Sequence, residues 1–293
     1  MRNIEQERVV TSENNSFKFK TLECRYFPSP LHFHPELEVV YINKGDGFCF
    51  AADGFVRFQQ GDLFFFGGNL SHYFRSDDHY YISNDSSDYC QSTYIQFKES
   101  ILPADYLHMP GCRQIKELVQ EGRFGIKWRA SQIPQSIASK IIEMEDLDGF
   151  DRLKELYKLL NSLGELVPQG KTIASPMSGL EGVAGDVIYQ RVMEYVSLNF
   201  KSDIILSDIA DYVSMNHAAL CRHFKAKAGI SIFDYLSRFR IAYAKELLAR
   251  ESSCISLVAY SSGFNTIPNF NVQFKKIAGV TPSQYRASMT DKG

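Results

Sequence analysis

The 293-residue sequence has no long apolar run. A membrane-spanning helix needs roughly 20 consecutive apolar residues, and every candidate here is soon broken by charge, Gly or Pro. The first residues, MRNIEQERVV, lack the apolar stretch of a secretory signal, so a cytoplasmic location is expected. Cysteine is sparse: six residues, at 24, 49, 90, 112, 221 and 254, with no C-x-x-C pair. That spacing argues against a disulfide framework and for reduced, mostly buried thiols. A hydrophobic share of 44% and a charged share of 23% leave no room for wholesale disorder or a collagen-like chain. Strong charge of either sign is missing too, the formal net charge being −2. That figure hides an asymmetry, because residues 1–185 hold 19 basic and 25 acidic side chains whereas residues 186–293 hold 13 and 9. The C-terminal part is mildly basic, a first hint of a polyanionic partner.

From Phe17 to Lys98 the chain is a series of short aromatic and β-branched runs: FKFKTLECRYF, ELEVVYI, GFCFAA, FVRFQQ, GDLFFFGG and CQSTYIQFK. Strands at such close spacing imply an antiparallel sandwich or barrel. Between about Arg113 and Val167 the period becomes helical, with Ile115, Leu118 and Val119, then Ile137, Ile141 and Ile142, then Leu153, Leu156, Leu160 and Leu163. This last stripe is either internal core or a dimer surface. The Gly-, Pro- and Ser-rich residues 168–185 read as a linker. The expected organisation is therefore residues 1–167, a linker at 168–185, and a helical domain at 186–293.

The helical part contains an internal repeat. FKAKAGIS at 224–231 recurs as FKKIAGVT at 274–281, and Tyr235 and Tyr285 follow each glycine at equal distance. Upstream, Ile209-Ala210 matches Val258-Ala259, so the second copy has one extra residue at its turn. Each copy has the grammar of a helix-turn-helix. In the first, Leu206, Ile209, Ala210 and Val213 form an apolar stripe, 214–216 the turn, and Leu220 and Phe224 the inward face of the next helix. In the second, Ile255, Val258 and Ala259, then 263–265, then Phe270 and Phe274 play those parts. A long helix, roughly 232–250, bridges them. Periodicity alone also permits a helical bundle without a nucleic-acid role.

These residues resemble the AraC-type family of bacterial transcription regulators. LSDIADYVSMNHAALCRHFKAKAGISIFDYLSRFRIAYAKELL is similar to the family's first DNA-binding unit and connecting helix, and ISLVAYSSGFNTIPNFNVQFKKIAGVTPSQYR to its second unit. HFHPELEVVYINKGDG and the later GDLFFFGGNLSHYF resemble the family's cupin-like sensor barrel. The resemblance implies an α+β protein of two domains. An N-terminal cupin-like β-barrel with dimerisation-type helices is followed by an all-α pair of helix-turn-helix motifs joined by a long helix. It implies a regulator, not an enzyme, that binds double-stranded DNA, responds to a small-molecule effector and forms a homodimer.

The second helix of such a motif enters the major groove N-terminal end first. With Leu220 and Phe224 turned inward, Ala218, Cys221, Arg222 and Lys225 face outward, preceded by Asn216 and His217. Arg222 is the leading base reader, since guanidinium bonds a guanine edge bidentately; His217 and Asn216 come next. The second copy presents Pro268, Asn271, Val272 and Lys275, with Thr266 and Ile267 at its start. Asn271 suits an adenine, while Lys225, Lys275 and Lys276 suit phosphates. Family members often carry an arginine in the stretch F-x-R-x-F, where this chain has Phe270-Asn271-Val272-Gln273-Phe274, so the second helix lacks a counterpart to Arg222. Arg240, midway along the connecting helix, is expected to form a structural ion pair.

In the barrel, His32, His34 and Glu38, with His72 later, reproduce the ligand order of metal-binding cupins. On an extended segment, His32, His34, Glu36 and Glu38 share parity, although Pro35 disturbs the alternation. We expect no resident cofactor or metal and assign His34, Glu38, His72 and Tyr94 to a small polar effector such as a sugar. Tyr41 and Trp128 are further stacking candidates. Two rival readings remain: a metal-dependent cupin enzyme with a helical appendage, and a helical module that binds protein.

Overall fold

The computed structural model describes residues 5–6, 16–27, 32–52, 54–174, 186–250 and 254–290. The chain divides into two units, residues 1–185 and 186–293. None of the described helices is long and apolar enough to cross a membrane.

In the first unit the aromatic and β-branched runs become strands: β1 (Glu5–Gln6), β2 (Lys18–Cys24), β3 (His32–Phe33), β4 (Leu37–Lys44), β5 (Gly47–Ala51), β6 (Gly54–Phe58), β7 (Leu63–Phe66), β8 (His72–Ser76), β9 (Cys90–Phe97), β10 (Ile126–Trp128) and β11 (Lys171–Thr172). The helices α1 (Asp78–Ile82), α2 (Arg113–Gly122), α3 (Gln135–Glu143) and α4 (Gly149–Glu165) accompany them. One sheet has the order β1-β3-β8-β5-β6 and the other β11-β10-β7-β4-β9-β2. The pairings are antiparallel except for the short β1–β3 contact.

The central strand β4 is buried on both faces, which is why LEVVYI is nearly all apolar. Leu37 and Val39 join Leu63, Phe65, Ile95 and Phe97 in a core completed by α2, α3 and α4. Val40 and Ile42 point the other way, into a core built by both sheets from Cys49, Val56, Phe58, Phe64, Phe66 and Phe74. Glu38 shares this second face. It is the acidic exception in an apolar strand.

Several expectations change here. Leu156, Leu160 and Leu163 are buried in the helix-side core together with Leu159, and Leu153 packs against it. The leucine stripe is thus interior rather than a dimer surface, while Ile142 leaves its expected partners and is exposed. Trp128 lies in the same helix-side core, its indole N–H donating to the Leu166 carbonyl at 2.8 Å, and Tyr41 packs there too. Neither ring faces the space between the sheets, so both are lost as stacking candidates. The linker also shortens: β11 pairs with β10, and Ile173 and Ala174 are buried, binding residues 168–174 to the first unit. Residues 175–185 lie outside the described ones. All six thiols are free, but only Cys49 and Cys90 are buried; Cys24 and Cys112 are half-buried, and Cys221 and Cys254 are exposed.

The second unit comprises α5 (Val187–Asn199), α6 (Leu206–Val213), α7 (His217–Ala228), α8 (Ile232–Arg250), α9 (Ile255–Ser261), α10 (Ile267–Ala278) and α11 (Pro282–Thr290). The repeat has a structural meaning. Met215 N–H donates to Ala210 at 2.9 Å, and Phe264 N–H donates to Ala259 at 3.1 Å, closing both turns alike. The intervening segments are 214–216 and 262–266, so the extra length lies in the second turn. Tyr235 packs edge-on to Phe224 at 5.9 Å and Tyr285 to Phe274 at 5.7 Å, so each repeated tyrosine closes the core of its own module. Ile241, Ala244 and Leu248 of α8 join Val258, Ala259, Phe264, Phe270 and Phe274 in the second core.

Arg240 holds the connecting helix in place. Its Nε and Nη2 donate to the Phe200 and Ser202 carbonyls, each at 2.7 Å. The expected structural role holds, but its hydrogen-bond partners are backbone carbonyls rather than a carboxylate. Gly263 adjoins this junction at φ 83°; a Cβ there would stand 2.3 Å from the Phe200 oxygen. Only glycine fits both the left-handed backbone and that approach.

Candidate nucleic-acid interface and a buried polar cluster

Both reading helices begin with a side-chain cap. Asn216 Oδ1 accepts the Ala219 N–H at 2.9 Å, and Thr266 Oγ1 accepts the Asn269 N–H at 3.4 Å. The capping role commits the Asn216 amide oxygen to the helix, which removes the bidentate adenine contact that amide would otherwise offer. Beyond the caps, α7 turns Leu220 and Phe224 inward and exposes His217, Ala218, Cys221, Arg222 and Lys225. In the second copy α10 buries Phe270 and Phe274 and exposes Pro268, Asn271, Val272 and Lys275, with Ile267 half-buried. Pro268 lies in the first turn, where a missing N–H breaks no helical bond. Val272 is 64% exposed on a helix whose opposite face carries the core. Among the lysines, Lys276 stands 3.4 Å from Asp234 Oδ1.

The anchoring of α7 has no signature in the sequence pattern. Asp186 caps α5 by accepting the Tyr189 N–H at 3.0 Å, and the same carboxylate meets His223 Nε2 at 2.9 Å and Lys227 Nζ at 3.4 Å. Burial works to raise the Asp186 pKa, but the Tyr189 N–H, His223 and Lys227 outweigh it and hold the carboxyl below its ordinary value. One acidic residue thereby ties the first reading helix to the N-terminus of α5.

The polar cluster of the first unit is assembled by strand register. His32 on β3 pairs with His72 on β8, while Glu38 on β4 stands between Phe66 on β7 and Gln96 on β9. Pro35 interrupts the chain between β3 and β4, and the 67–70 turn closes on this break. Asn69 N–H donates to the His34 carbonyl at 2.7 Å, and a Cβ on Gly68 would sit 2.5 Å from the Pro35 oxygen. Glu38 Oε2 lies 3.0 Å from His34 Nε2 and 2.7 Å from His72 Nε2. Gln96 donates to Glu38 Oε1 at 3.3 Å. Glu36 is buried beside them, its Oε2 being 3.8 Å from His34 Nδ1.

His34, Glu38 and His72 are 1–2% exposed, and His32 is half-buried. The His72 ring stacks on Phe66 at 4.2 Å, which fixes its plane. Burial favours a neutral Glu38, yet the charge of His72 and the hydrogen bonds from both imidazoles hold its carboxyl well below the usual range. His32, His34, Glu38 and His72 each offer one ligand atom, all within 4.8 Å of one another. Tyr94 lies on the same sheet face, opposite Val40 and two residues from Gln96, and packs against the core between the sheets. Sequence reading missed Gln96, because its place beside Glu38 depends on which strands pair.

Residues 209–288 match the helix-turn-helix domain family. An uncharacterised helix-turn-helix-type transcriptional regulator of Staphylococcus aureus (strain COL) is 26% identical over 201 residues, covering 66% of this chain and 25% of that protein. The chain thus spans about a quarter of the length of this curated relative. The helix-turn-helix-type transcriptional activator RhaR of Escherichia coli O139:H28 is 25% identical over 162 residues, covering 54% of this chain and 57% of RhaR. Among solved structures, the C-terminal domain of AraT, a response regulator from Geobacillus stearothermophilus, is 32% identical with a TM-score of 0.34. The match covers 34% of this chain and 84% of that one.

Proposed function

We propose that the chain is an AraC-type helix-turn-helix regulator, a sequence-specific transcription regulator governed by a small-molecule effector. One observation carries the reading: the same helix-turn-helix is built twice, and each second helix exposes a face with polar and basic residues opposite its buried apolar pair, Leu220 and Phe224 in α7 and Phe270 and Phe274 in α10. The two helices would enter successive major-groove faces, one helical turn or about 34 Å apart. Arg222 reads a guanine edge and His217 lies beside it at the helix start, while Ala218, Cys221 and Asn216 line the groove wall. Lys225 and Lys275 meet phosphates. In the second module Asn271 meets an adenine edge, and Val272, Pro268 and Ile267 pack on thymine methyls beside Thr266. The first module therefore carries most of the base-specific contact.

The first unit is read as a cupin-like sensor, with the cluster of His34, Glu38 and His72 and the nearby Tyr94 marking where an effector acts. A sugar suits this mixture of polar and aromatic groups. The chain acts as a homodimer, with an interface outside the α4 leucines, and the segment between the units sets which half-sites it reaches. Binding-site selection followed by mobility shift at increasing salt tests the reading. A selected site with a guanine in the half bound by α7, and affinity falling steeply with salt, is expected. Absence of any salt-dependent shift returns the enzyme and protein-binding readings, and a better-defined second half-site overturns the division of labour.

A further inference from the structure

We propose that Cys24 and Cys90 form a reversible disulfide when the surroundings turn oxidising, a redox modification site at the edge of the first unit. Far apart in sequence, the two are brought together by strand pairing. Cys24 ends β2 and Cys90 begins β9, and they are the last directly opposed pair of the β2–β9 ladder. Opposed residues of an antiparallel pair share a face, with Cα atoms about 4.5 or 5.5 Å apart according to the kind of pair. Either spacing lies within the range of about 4.4–6.8 Å that a disulfide spans. Both side chains turn to the core between the sheets, where Cys90 is buried and Cys24 packs against it, partly buried. The Cys24 thiol already rests on the opposite strand, its Sγ 3.8 Å from the Cys90 carbonyl oxygen. The other cysteines are placed differently: Cys49 is paired with Val56 and Phe74, Cys112 packs on the helix side, and Cys221 and Cys254 belong to the second unit.

One thiol can be reached from outside and the other is held beside it. A surface cavity of about 380 Å³, with Cys24, Arg25, Ser83, Asn84 and Tyr89 in its lining, leaves Cys24 approachable. A Cβ on Gly45 would stand 2.9 Å from Cys90 Sγ, and Ser76 Oγ lies 3.3 Å from that sulfur, so Cys90 is confined next to its partner. The oxidant is a small disulfide. The Cys24 thiolate attacks it and releases one thiolate; the Cys90 thiolate then attacks the Cys24 sulfur of the mixed disulfide and releases the second. Two S–H bonds are lost and one S–S bond forms in the protein, while the small disulfide takes up the two electrons and both protons as two thiols. Burial, with Cys90 and Glu23 beside it, pushes the Cys24 thiol up to about 11, and burial raises that of Cys90 too. Both are mainly protonated near neutral pH, so exchange is slow and the pair answers sustained rather than brief oxidation. Because β2 is the edge strand of its sheet, the bond would pin it at its end and close the loop of residues 24–90, restricting the unfolded chain.

The test uses the full-length Cys221→Ser/Cys254→Ser protein, which lacks the two exposed thiols, brought to equilibrium in mixtures of reduced and oxidised glutathione. We expect the loss of two thiols per chain, a peptide joining Cys24 to Cys90 by mass spectrometry, a higher Tm, and complete reversal by dithiothreitol. Cys24→Ser, at the half-buried position, should abolish both the cross-link and the response of Tm to oxidation. Cys90→Ser should do the same, and if it fails to fold by circular dichroism, Cys24→Ser decides. Three results overturn the proposal: glutathione left on Cys24 as the end state, a cross-link through Cys49 or Cys112 instead, or an unchanged thiol count in the most oxidising mixture. A Cys24–Cys90 cross-link that leaves Tm unchanged overturns the pinning of β2.

Discussion

Asn216 and Arg222 lie on the same helix yet affect different observables. Because Asn216 caps α7, Asn216→Ala should cost about 1 kcal/mol of stability in urea denaturation. Asn216→Asp should keep the cap but weaken DNA binding, by adding negative charge near the phosphates. An Ala variant as stable as wild type would show that the cap contributes nothing. Arg222 is exposed and the cap does not involve it, so Arg222→Ala should leave stability alone and relax preference at one base pair, at a cost of about 1–3 kcal/mol of discrimination. Lys275→Ala should instead weaken binding to all sequences alike and reduce the salt slope by about one. Equal loss of preference in both variants would merge the two roles.

At the scale of the element, the junction of Arg240, Gly263 and the Phe200 carbonyl decides whether α5, α8 and the second turn pack as observed. Gly263→Ala would put a side chain on a left-handed backbone, costing at least about 1 kcal/mol, and its Cβ would meet the Phe200 oxygen. A marked fall in Tm is expected, and an unchanged Tm would mean that the turn simply shifts. The Asp186 latch predicts a pH dependence. Its folded pKa is lowered, so its contribution is present above the ordinary carboxylate range and fades as pH falls toward the folded value. Asp186→Asn, which can still cap α5, should be less stable than wild type at neutral pH, and the two should converge in acid. These elements were unequally legible. The strands, the repeat and the inward phenylalanines could be read because they follow local period. The Arg240 and His72 acceptors could not, since backbone carbonyls have no letter in a sequence. Gln96 and Asp186 became visible only once strand pairing and helix packing brought distant residues together.

For the whole molecule, net charge is informative only when divided. The unit comprising residues 1–185 is net −6 and residues 186–293 are net +4. Each has its own core: the leucines of α4 are satisfied within the first, and Phe270, Phe274 and the α8 face within the second. Two consequences follow for a fragment of residues 186–293. It should unfold cooperatively, because its buried side chains find their partners within it. It should also bind non-specific DNA more tightly than the full chain at low salt, since the acidic partner that opposes approach to phosphates is gone. That advantage should shrink near physiological salt, where the screening length is about 8 Å. On the selected site the proposed homodimer predicts the reverse order, because fragments without the first unit would lose the gain from simultaneous engagement. Isothermal titration of both proteins on both DNAs at two salt concentrations separates these effects. A fragment that matches the full chain on the selected site at high salt would assign the affinity to the two reading helices alone and leave the first unit with regulation only.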